Sequence, residues 1–410
     1  MMYQIEMPDK IQGVVQLPAS KSISNRLLII KALSSAQINI SNLSEAQDTR
    51  TLASLLKSED NTLDCGHAGT TMRFLTAYLS TTLNESRTLT GSDRMKQRPI
   101  GVLVDALKEL GADISYLEEE GFPPLQINGG GIKGSEVTMD SNVSSQFISA
   151  LILIAPTLPN GLTIHLTPNV VSQSYIEMTL KAIQHFGITV TRKNNSIHIE
   201  NGEYKAGDLN VEADWSSASY WYSVVALAAD AEIELLGLDQ TSWQGDSIVS
   251  DIFTLLGVKT EYTQRGVMLT KTPVCAKEFG YNFINCPDLA QTVCVTTAAL
   301  GIASRYTGLD TLKVKETDRV VALKSELLKV GADIKERKIG EITCFPPPLA
   351  CSGQSISTFE DHRMAMAFTP LACALGKINI EDPDVVAKSY PNYWRDMKSV
   401  GFKIEETSLG

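Results

Sequence analysis

Apolar positions along the chain recur at three- and four-residue steps, stop at a glycine, and resume at two-residue steps in a short β-branched run. Each such passage predicts an amphipathic helix followed by a strand. The pattern is clearest at residues 107–114, 183–190, 253–260, 327–334 and 397–404. Their glycines, Gly111, Gly187, Gly257, Gly331 and Gly401, stand 76, 70, 74 and 70 residues apart. A glycine at the end of a helix allows a left-handed backbone at no steric cost, and the strand then turns back onto the helix. The period predicts a unit of about seventy residues, with two helices and several strands, copied about six times. The first copy is blurred: residues 52–57 read as helix, but residues 58–61 carry no glycine. Three units per domain and two domains follow, and alternating helices and strands make the class mixed α/β. Whether the three units of a domain share one sheet or form three stays open.

Between these passages lie polar stretches that lead into apolar helices. Residues 13–17 predict a strand, which Pro18 and Ser20 stop. Ser20 or Ser22 then caps a helix that holds Lys21 and Ser22 in its first turn and carries Arg26 on the face of Ser22. The unpaired N–H groups of such a helix start, joined by a Lys, hydroxyls and an Arg, suit an anion. The run Asp64-Cys65-Gly66-His67-Ala68-Gly69-Thr70-Thr71-Met72-Arg73 opens another helix with two glycines that permit close backbone approach. Residues 90–100 predict a loop whose Arg94 and Arg98 can each grip a carboxylate or phosphate with two parallel bonds. The run Asn142-Val143-Ser144-Ser145-Gln146-Phe147 and the run Ser172-Gln173-Ser174-Tyr175 repeat the theme of hydroxyl and amide groups at a helix start. Later come Asp288 in a loop before a helix, the mixed-charge run from Lys313 and Lys315 through Glu316 to Arg319, Arg363 at a helix start, and Lys388. Taken singly, each also fits a plain helix cap or a solvated charge, and Glu316/Arg319 a surface ion pair of well under ~1 kcal/mol.

The charge balance narrows the choice. The 410 residues carry a net charge of −11, with 43% hydrophobic and 20% charged residues. An acidic body with cationic spots suits small, multiply charged anions and disfavours nucleic acid as the main partner. No stretch of eighteen apolar residues and no signal-peptide layout occurs, so no membrane is expected and the cytoplasm is the expected compartment. The seven cysteines (65, 275, 286, 294, 344, 351 and 373) never stand as C-x-x-C and there are only five histidines. Neither a disulfide framework nor a zinc site is suggested.

Taken together, the run from Leu17 to Arg26, the loop from Ala68 to Arg73, Arg94-Met95-Lys96-Gln97-Arg98-Pro99-Ile100, Val143 to Phe147, Pro287-Asp288, Val314 to Arg319, Asp361-His362-Arg363-Met364-Ala365, and the segment from Asp384 to Pro391 resemble the 5-enolpyruvylshikimate-3-phosphate (EPSP) synthase family. The likeness runs from about Pro18 to the end. It implies an inside-out α/β barrel fold of two domains, each of three βαβαββ-like repeats. Residues 20–214 would form one domain and residues 1–19 with 215–410 the other, with the active site in the cleft between them. It implies transfer of the enolpyruvyl group of phosphoenolpyruvate to the 5-hydroxyl of shikimate 3-phosphate, on the way to chorismate and the aromatic amino acids.

By the same resemblance, Lys21, Ser22, Arg26, Ser144, Ser145, Gln146, Ser172, Asp288 and Lys315 would hold shikimate 3-phosphate. Lys21, Gly69, Arg98, Gln146, Arg319, Arg363 and Lys388 would hold phosphoenolpyruvate. Addition and elimination through a tetrahedral intermediate need proton transfers, for which Asp288, Glu316 and Lys21 are the candidates. No metal or organic cofactor is implied, and a monomer is expected. The chain departs from the family pattern at His67 and Thr311, where Asn is usual, and at Thr71 and Phe74, where Ala and Pro are commonest, so the response to glyphosate is not legible. Two rivals stand beside this reading: the related transfer to UDP-N-acetylglucosamine, whose reactive Cys residues 87–101 lack, and a non-catalytic anion-binding protein.

Overall fold

The computed structural model describes residues 1–8, 10–82, 86–140, 144–167, 172–345 and 352–407, so Asn142, Val143 and Cys351 lie outside the described residues. The chain divides into two compact units, Met1–Ala19 with Glu212–Gly410, and Ser20–Val211. The second division falls three residues ahead of the expected 214/215 boundary, and side chains explain why. The carboxylate of Glu212 accepts from Ser242 Oγ at 2.8 Å and from the Trp243 N–H at 3.0 Å. Gln244 grips the carbonyl of Ala213 at 2.8 Å and the N–H of Trp215 at 3.0 Å, while Asp214 N–H donates to Pro18 at 2.9 Å. Residues 212–214 are therefore already bonded into the first unit.

Among the described residues each unit contains three separate sheets, which settles the question the repeat left open. Five of the six sheets share one plan: two parallel strands, then two antiparallel ones. In the unit Ser20–Val211 the spatial orders are Thr62–Asp64, Ser86–Thr90, Leu125–Asn128, Asp113–Tyr116, and Glu136–Met139, Leu162–Leu166, Ser196–Ile199, Val190–Lys193. In the other unit they are Ile11–Gln16, Ala231–Leu236, Gly266–Lys271, Val258–Tyr262; Glu278–Asn282, Ala303–Thr307, Glu341–Cys344, Ile334–Lys338; and Ser355–Ile356, Lys377–Glu381, Met2–Glu6, Lys403–Thr407. The sixth is the parallel pair Ile38–Ser41 and Gly207–Asn210.

The five periodic glycines all precede the last strand of such a sheet. Their φ angles run from +85° to +108°, a region from which a Cβ is largely excluded. After four of them the next N–H reaches back five residues, as from Ala112 to Leu107 and from Ala332 to Leu327, both at 2.9 Å. The chain is thereby folded back onto its own helix. The blurred first copy differs for a topological reason. Its helix, Gln47–Leu55, feeds Thr62–Asp64, the parallel first strand of a different sheet, so no tight return is needed.

Local capping matches the polar helix starts. Ser20, Ser144, Asp214, Asp318 and Asp361 each accept a backbone N–H at the start of a helix, so Ser20 and not Ser22 caps Lys21–Leu33. The expected loop at residues 90–100 contains one helical turn, Asp93–Lys96, because Ser92 caps it through Met95 N–H. Among the described residues, no helix is long and apolar enough to cross a membrane.

Candidate active site

In the unit Ser20–Val211 the polar helix starts are tied to one another. Lys21, the first residue of Lys21–Leu33, bonds Asp48 at 3.0 Å, near the start of Gln47–Leu55. The backbone carbonyl of Asp48 accepts from Thr71 Oγ1 at 3.2 Å, in the first turn of Gly69–Thr81. Gln146 Nε2 donates to Thr70 Oγ1 at 3.2 Å and brings in the start of Ser145–Ile154, which Ser144 caps. Several positive helix ends thus share one region, as an anion requires.

Arg26 fastens this assembly from inside. Its Nε donates to Thr179 Oγ1 at 2.7 Å, and Nη2 to Ser149 Oγ and the Tyr175 carbonyl at 3.1 and 3.2 Å. Nη1 donates to the Ser22 carbonyl at 2.8 Å. Four of the five N–H groups of a guanidinium are thereby spent on the protein. The side chain is only 3% exposed, and burial lowers its pKa to about 10, so it stays charged at neutral pH. Ser172 stands immediately before Gln173–His185 with a left-handed φ of 56°. Ser145 is buried beside its cap.

Arg98 behaves differently. It is 7% exposed, and its Nε is buried without a hydrogen-bond partner among the described residues. Its guanidinium lies on the backbone of Gly69: a Cβ built on that glycine would sit 2.6 Å from Nη1. Arg73 holds the stretch in place by donating to the carbonyls of Gly69 and Pro99 at 3.2 and 3.3 Å. A buried cation with an unmet donor beside a helix start is built for an anion. Arg94 instead sits at 3.5 Å from Gln97 on its own turn, and His67 meets Ser92 through Nδ1 at 3.1 Å.

In the other unit one guanidinium joins three carboxylates. Arg319, 1% exposed, reaches Asp361 through Nε at 2.7 Å, Asp288 through Nη1 at 3.2 Å and Glu316 through Nη2 at 3.0 Å. Burial opposes its charge, but Asp361, then Glu316 and Asp288, outweigh that and hold its pKa above the usual value. The expected surface pair Glu316/Arg319 is therefore a partly buried one, with Arg319 buried and Glu316 half-buried. Glu316 also lies outside the helix, which starts at Arg319 after its cap Asp318.

The network continues on both sides. Lys388 bonds the second oxygen of Glu316 at 2.8 Å, and Arg363 bonds the second oxygen of Asp288 at 2.8 Å. Tyr220 accepts from Arg363 at 3.2 Å, and its ring packs edge-on to Tyr393. The aromatic core thus fixes the direction of Arg363. Lys315 stands half-buried between the 3₁₀ turn Asp310–Val314 and Glu316. Thr311 Oγ1 is buried without a hydrogen-bond partner among the described residues.

Residues that escaped the sequence reading as site residues include Asp48, Tyr220, Asp246 and Asp361. Asp361 carried a signal, since an acidic residue directly before a helix is a cap and its second oxygen is free to pair. Asp246 carried none. It is 4% exposed and accepts from Ser216 Oγ. Burial, then the negative charge of Asp288, push its carboxyl up to about 7.

Residues 5–58 and 52–397 match the family model described as EPSP synthase (3-phosphoshikimate 1-carboxyvinyltransferase). The chain is 47% identical over 409 residues to the 3-phosphoshikimate 1-carboxyvinyltransferase of Bacteroides fragilis (strain YCH46), covering 99% of both. It is 38% identical to that of Sulfurovum sp. (strain NBC37-1), covering 95% of this chain and 97% of the other. The solved EPSP synthase of Acinetobacter baumannii superposes with a TM-score of 0.78 at 20% identity, covering 99% of this chain and 100% of the other. The enolpyruvyl transferase NikO of Streptomyces tendae gives 0.73 at 14% identity, covering 100% and 99%. Both share the fold.

Proposed function

From the premise that the chain belongs to the EPSP synthase (3-phosphoshikimate 1-carboxyvinyltransferase) family, we propose that it moves the enolpyruvyl group of phosphoenolpyruvate to the 5-hydroxyl of shikimate 3-phosphate and releases phosphate. Lys21, Ser22, Arg26, Ser144, Ser145, Gln146 and Ser172, with Asp288 and Lys315, hold shikimate 3-phosphate. Arg26 acts largely through the Ser22 carbonyl that it grips at 2.8 Å. Lys21, Gly69, Arg98, Gln146, Arg319, Arg363 and Lys388 hold phosphoenolpyruvate.

In the addition step Asp288 takes the proton of the attacking hydroxyl while the methylene carbon gains one, with Glu316 and Lys21 as the acids. In the elimination step Glu316 takes a proton back from the new methyl group and phosphate departs. Proton transfer by placed carboxylates contributes about 10²–10⁴ in rate. Fixing and neutralising two anions contributes the rest. The observation that carries the reading is Arg98, a buried cation with an unmet donor laid against Gly69. Work in the cytoplasm as a monomer belongs to the same proposal.

A phosphate-release assay tests it. Release is expected only when phosphoenolpyruvate and shikimate 3-phosphate are both present. Release with UDP-N-acetylglucosamine instead would move the chain to the related transfer, and no release with either acceptor would leave an anion-binding protein.

A further inference from the structure

Asp246 has no part in holding either substrate in the proposal above, yet it is buried and feels the charge of the proposed base, Asp288. It opens the 3₁₀ turn Gly245–Ile248, is 4% exposed, and takes the hydroxyl of Ser216 on its Oδ2. Ser216 lies in the first turn of Trp215–Leu227, the helix that also carries Tyr220. Tyr220 in turn accepts from Arg363 at 3.2 Å, and Arg363 pairs with Asp288 at 2.8 Å. A chain of residues on two elements thus leads from Asp246 to the pair Arg363–Asp288.

Asp288 meets two guanidinium groups, Arg319 at 3.2 Å and Arg363 at 2.8 Å. Two adjacent cations make a carboxylate a poor proton acceptor. A general base held in this way needs a compensating negative charge. We propose that Asp246 is a positioning residue for the reaction: its ionised carboxylate, held by Ser216, competes for the field of Arg363 and keeps Asp288 basic enough to take the proton of the substrate hydroxyl.

The electrostatics run in the same direction. Burial raises the Asp246 carboxyl first, Asp288 raises it next, and the Ser216 hydrogen bond and Arg363 lower it. Interaction between two charges is mutual, so ionised Asp246 also raises the proton affinity of Asp288. The other groups that bear on Asp246 are Asp214, on the same helix start as Ser216, and Cys286 and Tyr281, ahead of Asp288. Burial holds Cys286 and Tyr281 protonated at neutral pH, with pKa values above the usual ones. Asp251, on the adjoining helix Val249–Leu255, is exposed. Of Asp246, Cys286 and Tyr281, Asp246 is the one whose charge changes near neutral pH.

This inference rests on Asp288 being the base, and the experiment separates the two. Wild-type kcat, followed from pH 5.5 to 9 with both substrates, is expected to rise through one ionisation that Asp246→Asn removes. In that variant kcat falls about tenfold on the high-pH plateau, the effect of about one pKa unit on the base, while both KM values stay within about twofold of wild type. Ser216→Ala keeps the carboxyl but removes the donor that favours its charged form, so the same step moves to higher pH. A step that survives in Asp246→Asn, or one that stays in place in Ser216→Ala, overturns the inference even in a fully active enzyme. A wild type that releases no phosphate refutes the underlying reading instead.

Discussion

The guanidinium of Arg98 lies against Gly69 so closely that a single added methyl group would come within 2.6 and 2.7 Å of its two Nη atoms. The helix Gly69–Thr81 starts at this glycine, so an alanine there meets no helical strain but must push the guanidinium aside. Gly69→Ala is expected to keep its melting temperature and to raise the KM for phosphoenolpyruvate about ten- to hundredfold, the loss of one charge-assisted contact. Steady-state kinetics beside a thermal melt checks this. An unchanged KM would mean that Arg98 does not hold the substrate.

Asp288→Ala and Glu316→Ala each remove one proposed proton carrier. Arg319 keeps Asp361 at 2.7 Å in either variant, so the fold is retained. A fall in kcat of about 10²–10⁴ is expected, with substrate binding by calorimetry largely preserved. Full turnover in both variants would remove them from the chemistry.

Arg319 is the hub of its unit's charged network. Arg319→Met takes one cation from Asp288 and Glu316, which keep Arg363 and Lys388, and removes the guanidinium that faces the fully buried Asp361. A loss of about 3–5 kcal/mol of stability is expected, because an unpaired buried charge is left behind. Urea unfolding measures it. Arg319→Lys should recover part of that loss and little of the activity, since an ammonium cannot span three carboxylates.

Asp246 also makes stability depend on pH. Its carboxyl titrates higher in the fold than in the unfolded chain, chiefly through burial. Its contribution is present at acid pH and fades as pH rises toward neutrality. Asp246→Asn is uncharged throughout, so its stability relative to wild type is expected to improve between about pH 4 and pH 7 and then level off. Urea midpoints at pH 5 and pH 8.5 test the sign. A relative stability that is flat, or that falls with pH, would contradict the buried, proton-holding state.

The repeat and the helix starts were legible because they are short-range. A glycine at a helix end, as at Gly331, and a cap such as Ser20 or Asp361 act within a few residues, and their periodicity stands in the chain itself. Lys21, Arg98 and Lys388 stood out for the same reason, as cations within short polar runs. The blurred first copy could not be resolved this way, since its helix Gln47–Leu55 feeds a strand of another sheet.

On its own, the chain's order of residues determined the mixed α/β class, the repeating unit, the glycine returns and the inventory of charges. Tertiary structure alone decided how those charges are spent. Arg26 is committed to Thr179 and Ser149, more than a hundred residues away in sequence, whereas Arg98 keeps an unmet donor. Arg319 finds Asp361, 42 residues on, and turns an ordinary-looking ion pair into a buried hub. The reason is physical: the worth of a charge depends on its dielectric surroundings and on partners brought near by folding, and neither is a property of neighbouring residues in sequence.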